Sequence, residues 1–124
     1  QAAKGLTRVG VAALRFNFRG VGASAGTFDA GPGEKDDFRA AITFAAARFP
    51  GLPIWAAGMS FGSWIAGSVG ATDARISLVL LVAPAVDRYD YTELAVAGKP
   101  VFIVHGEEDE LIAAKDVRKF YGTL

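Results

Sequence analysis

The chain has 124 residues, is 52% hydrophobic and 21% charged, and balances 13 basic against 13 acidic side chains, so its formal net charge is zero. That length and composition fit one domain with a packed core, and the charge balance gives no electrostatic case for nucleic acid or an anionic membrane surface. The absence of cysteine excludes disulfides and thiolate metal sites, and no apolar run nears the ~18 residues of a membrane span.

The chain opens at Gln1 in what reads as the middle of a helix and stops at Leu124 just after another. A single domain over residues 1–124, incomplete at both termini, is therefore expected. Val11 to Phe18 is a short apolar run followed by glycines, which predicts a strand. Gly20 to Gly33 is a glycine-rich loop, too long for a tight connection, in which Arg19 is expected to anchor the chain on carbonyls or on an acid such as Asp36. Glu34 to Phe49 has Phe38, Ala41, Ile42, Ala45 and Phe49 at helical spacing and Pro50 as its stop.

Pro53 to Ala57 predicts a second strand, and the small-residue stretch from Phe61 to about Ala71 a deeply buried helix. Ile76 to Ala83 and Val101 to His105 are two more apolar runs bounded by proline or glycine, as suits strands buried on both faces. Ile112 to Phe120 is a last helix, with Val117 and Phe120 on one side and Lys115, Arg118 and Lys119 on the other. Strands alternating with helices argue for βαβ units: an α/β fold, a three-layer α/β/α sandwich on a mostly parallel sheet.

Gly58-Met59-Ser60-Phe61-Gly62 fits G-x-S-x-G. In that motif the serine rides a strained strand-to-helix turn that lifts its hydroxyl clear of the sheet, and the glycines relieve the crowding. Ser60 is thus the candidate nucleophile, Gly58 and Gly62 the elbow, and Phe61 the donor of a backbone N–H to an oxyanion. A pentapeptide is a weak signal in a chain with 15 glycines; the strand before it and the helix after it supply the context it needs. Asp109, among the acids of Gly106-Glu107-Glu108-Asp109-Glu110, follows a later strand and is the candidate triad acid, with Glu108 and Glu110 as competitors and a solvated turn as the plain reading.

His105 is the one histidine. It precedes Asp109, whereas this triad runs serine, acid, histidine, so it is a poor base. Gly20-x-Gly22 is a poor dinucleotide fingerprint, because no helix follows at once and the third glycine falls one residue late. The acids at 107–110 lack the alternating spacing of a calcium loop. No cofactor and no metal site are expected.

The run from Arg15 to Asp37, RFNFRGVGASAGTFDAGPGEKDD, resembles small, lid-less bacterial α/β-hydrolases. The likeness continues through Leu52-Pro53, the elbow, Val82-Ala83-Pro84 and His105 to Glu110. It implies a Ser–Asp–His hydrolase of short acyl esters with no cofactor, with Ser60 and Asp109 at the nucleophile and acid positions and the histidine beyond this chain. A small-molecule ester as substrate, no nucleic acid or membrane partner, a cytoplasmic location and room for a homo-oligomer are expected. The family's strand beside that of residues 53–57 is missing here, so the sheet is expected to have a gap, a rearranged neighbour, or help from another chain. The alternative from another class is a non-catalytic binding or interaction module that keeps the elbow as scaffolding.

Overall fold

A computed structural model describes all 124 residues, Gln1–Leu124. Five helices and three strands follow in the order α1 (Ala2–Arg8), α2 (Pro32–Arg48), β1 (Ile54–Met59), α3 (Phe61–Thr72), β2 (Ile76–Val82), α4 (Thr92–Val96), β3 (Val101–Val104) and α5 (Ala114–Tyr121). The strands form one parallel sheet in the order β1-β2-β3, the α/β fold expected from the alternating runs.

Strand register sorts the side chains onto two faces. Ala56 pairs with Val79 and Val79 with Val101, while Leu81 pairs with Gly58 and Ile103. This face carries the core, where Phe38 and Ile42 of α2, Ile65, Ala66 and Val69 of α3, and Leu94 of α4 meet Ala56, Val79 and Leu81. Gly70 brings α3 close to the sheet, since a Cβ there would lie 2.5 Å from Val79 Cγ2. Val117 of α5 packs toward Ile103 on the same side. The other face is open in this chain: Trp55, Met59, Phe102 and Val104 are all exposed.

α2 begins where its sequence says it should. Pro32 takes the first turn, and the Glu34 carboxylate reaches back to the backbone N–H groups of Gly31 and Asp29 at 2.9 and 2.7 Å. It ends at Arg48, two residues before Pro50, which cannot continue a helix. α4 has five residues, too short to announce itself by periodicity.

One predicted element does not form. Residues 11–18 belong to no helix and pair with no strand. A strand is made by its ladder, and β1 hydrogen-bonds only β2, so its outer edge stays open. This is the gap expected from the missing strand. The segment is tethered by its side chains instead: Phe16 packs edge-on against Phe38, and Phe18 against Phe61.

Candidate active site

The turn from β1 into α3 puts Ser60 at φ 51°, ψ −120°, a conformation costly for any residue with a side chain. Gly58 permits it, because a Cβ at 58 would run into the backbone of Gly62. At Gly62 itself an added Cβ would meet nothing nearer than the Phe18 ring at 3.9 Å, so the tight approach belongs to Gly58. Ser60 is exposed, and its backbone N–H donates to Val82 O at 3.0 Å, tying the elbow to β2. Its carbonyl accepts both the N–H and the hydroxyl of Ser63, at 2.9 and 2.6 Å.

The end of β3 carries the second candidate, Asp109. Ala83 N–H donates to Val104 O just as Ser60 N–H donates to Val82 O, so residues 60, 83 and 105 stand side by side at one sheet end. Two interstrand spacings separate Ser60 from His105, roughly 10 Å. Asp109 follows on a turn closed by its N–H to Gly106 O. Its Oδ1 accepts the N–H groups of Leu111 and Ile112, both at 2.9 Å, which leaves Oδ2 without a protein donor. Those bonds from Ile112 and Leu111, helped by the nearby His105, hold the Asp109 carboxyl below the usual carboxylate range. Glu108 and Glu110 are exposed and make no such bonds.

His105 is turned away from base chemistry. Its Nε2 lies 2.9 Å from Ile112 O, and a carbonyl only accepts, so Nε2 carries the proton. Its Nδ1 is buried and without a partner. No three His, Asp or Glu side chains converge as metal ligands would.

The loop between residues 19 and 37 is built on three carboxylates. Arg19 forks onto Asp37 and also donates its backbone N–H, with contacts of 2.8–3.3 Å. The partner is therefore Asp37, not the expected Asp36. Asp36 lies on the exposed side of α2 and pairs with Arg39 three residues on. Asp29 accepts Gly33 N–H at 2.8 Å. Burial pushes the Glu34 carboxyl up, but the bonds from Asp29, Gly31 and its own backbone outweigh it and hold it low. Phe28, exposed at the tip, rests on Phe61 with ring centres 5.5 Å apart, so the loop leans on the elbow.

Ser63, Tyr91 and Glu34 were not candidates from the sequence. Glu34 had a signal, the acid three residues after Gly31 at a helix start. Ser63 and Tyr91 had none, being 28 residues apart in the chain and joined only by the fold.

A family model described as Hydrolase_4, serine aminopeptidase S33, matches residues 1–99. An uncharacterized protein of Rickettsia prowazekii (strain Madrid E) is 37% identical over 119 residues, which is 93% of this chain and 50% of that protein. An alpha-beta serine hydrolase homologue from Coxiella burnetii superposes with a TM-score of 0.90 at 36% identity, over 98% of this chain and 58% of that one. A lid-less α/β serine hydrolase from Xanthomonas campestris gives 0.89 at 34%, over 99% and 56%. The chain thus spans 50–58% of the length of these relatives.

Proposed function

The chain belongs to the serine aminopeptidase S33 branch of the α/β-hydrolases, and we propose that the protein it represents hydrolyses carboxylic esters of short acyl chains, with Ser60 as nucleophile and Asp109 as the triad acid. One observation carries the reading: a solvent-facing serine at φ 51° at the carboxyl end of a parallel strand, on the rim where Asp109 keeps one carboxylate oxygen unused.

In this mechanism Ser60 Oγ attacks the acyl carbon while a histidine takes its proton. The negative charge that develops on the carbonyl oxygen meets the Phe61 N–H at the N-terminus of α3. Collapse expels the alcohol, which receives the proton from the histidine, and leaves an acyl-serine. Water, deprotonated by the same histidine, then releases the acid. Asp109 Oδ2 holds that histidine in one tautomer and stabilises its charged form. The base is assigned to a residue outside these 124, because His105 spends its proton on Ile112 O and buries its other nitrogen. No cofactor takes part in the scheme.

The test uses the product of the complete gene, p-nitrophenyl acetate and a fluorophosphonate probe. Turnover and probe labelling are expected in the wild type, and Ser60→Ala should lose both, with kcat down by roughly 10³-fold or more. Activity that survives Ser60→Ala would refute the nucleophile. A wild type that the probe ignores would favour the non-catalytic module instead. An aminoacyl p-nitroanilide cleaved faster than the ester would move the substrate class from esters to peptides.

A further inference from the structure

Behind the elbow lies a chain of buried hydroxyls that the scheme above does not use. Ser63 is fully buried in the first turn of α3, and its Oγ is 2.6 Å from the Ser60 carbonyl oxygen. A carbonyl has no proton to give, so the one Ser63 hydroxyl proton is committed to it. Tyr91, 6% exposed at the start of α4, places its phenol oxygen 2.7 Å from Ser63 Oγ. With the serine proton spent, Tyr91 must be the donor of that second bond. Burial favours the neutral phenol, so the donor keeps its proton. The chain therefore runs one way, from Tyr91 O–H to Ser63 Oγ and from Ser63 O–H to Ser60 C=O.

The Ser60 carbonyl and the Phe61 N–H belong to one trans peptide unit, and in a planar trans unit they point in opposite directions. Ser63 draws the carbonyl along the helix with two bonds, its N–H and its hydroxyl. The N–H at the other end of the plane is thereby turned out of the helix, and no backbone acceptor takes it. Bonds to the carbonyl also polarise the amide and strengthen its N–H as a donor. The strained φ and ψ of Ser60 need such over-determination to persist.

We infer that Ser63 and Tyr91 are positioning residues for the oxyanion donor: their hydroxyls fix the 60–61 peptide plane and so aim the Phe61 N–H at the substrate oxygen. The inference rests on the assignment of Ser60 as nucleophile. Neither side chain touches substrate; both act through the peptide.

The experiment compares Tyr91→Phe, Ser63→Ala, the double variant and Ser60→Ala in the complete gene product, reading kcat, KM and the thermal midpoint. Tyr91→Phe should lower kcat about 5-fold and Ser63→Ala about 10- to 30-fold, with KM within about 2-fold, as loss of an interaction made only in the transition state requires. The double variant should be no slower than Ser63→Ala, because Tyr91 acts through Ser63. If Ser63→Ala does not fold, Tyr91→Phe carries the test alone, since it removes one oxygen and keeps the ring. An unchanged kcat in Tyr91→Phe, with only the midpoint lowered, overturns the inference, and so do losses that multiply in the double variant. Ser60→Ala separates the two claims: if it stays active the nucleophile is wrong, and if it is dead while Tyr91→Phe is fully active only the positioning role fails.

Discussion

At the end of β1 the backbone enters α3 through a strained serine, a glycine pressed on the next turn, and two buried hydroxyls. At the end of β3 it enters α5 through an open turn, where one partly exposed carboxylate accepts the two N–H groups that follow it. The first turn is held from behind by the core. The second is held by the very residue proposed to do chemistry. Packing changes should therefore damage the elbow, whereas the acid turn should be sensitive to little besides Asp109.

The largest expected effect falls on the acid side. Asp109→Asn keeps an acceptor for Leu111 and Ile112 but loses the charge that orients a histidine. In the complete gene product kcat should fall roughly 10³- to 10⁴-fold. The thermal midpoint should barely move. A variant that melts early with its residual activity intact would mean that Asp109 serves the turn and not the reaction, and the contrast between the two turns would disappear.

Next comes a pair of glycines. A Cβ at Gly58 meets the Gly62 backbone, which cannot yield without breaking the elbow, whereas a Cβ at Gly106 meets nothing within 4 Å. Gly58→Ala should cost about 3 kcal/mol or more, by the overpacking and backbone strain it forces. Gly106→Ala should stay within about 0.5 kcal/mol. Urea unfolding of both variants measures the difference, and equal costs would break the comparison.

The elbow and the acid were legible because each is local. Gly58, Ser60 and Gly62 lie within five residues, and Asp109 sits just past an apolar run. The three strands were legible as unbroken apolar runs, and α2 by its period and its stop at Pro50. Residues 11–18 carry the same apolar signature yet form no strand, because pairing depends on a neighbour and a run cannot report whether one is present. The choice of Asp37 over Asp36 by Arg19 was hidden for another reason. Adjacent helix positions lie about 100° apart around the axis, so the partner is set by how α2 is rotated against the core, which is a tertiary fact. Tyr91 and Ser63 meet across 28 residues with no motif to connect them.

The loop of residues 19–37 offers an intermediate case, held by charge like the acid turn but buried like the elbow. Glu34→Gln replaces one carboxylate oxygen with an NH₂ facing a backbone N–H, and should cost about 2 kcal/mol as a buried charge-assisted bond is lost. Glu34 and Asp37 both titrate below their ordinary values, Asp37 chiefly through its bond to Arg19. A depressed carboxylate contributes stability above its unfolded pKa and loses it as pH falls through its folded one. Stability should therefore be level above about pH 5 and decline as pH drops through 4 and below. Glu34→Gln should flatten that acid limb in urea titrations at pH 3 and pH 6, and an unchanged limb would remove Glu34 from the account.

The smallest effect tests whether the acid turn needs its surface charges at all. Arg118 of α5 reaches back to Glu107 two residues before Asp109, a pair that could be taken for a brace. Both side chains are mostly exposed, at 68% and 80%, so water competes with the bond and ordering two long side chains offsets it. Glu107→Gln should shift the thermal midpoint by no more than about 2 °C, as expected for an exposed pair, and leave kcat unchanged. The reason lies in the hydrogen bonds: Asp109 is fixed through Leu111 and Ile112, and Ile112 is buried beside Val117, so the turn is anchored without Glu107. A loss of activity in Glu107→Gln, with the fold intact, would show that the turn is braced from outside, and the acid side would then resemble the elbow in needing partners to hold its geometry.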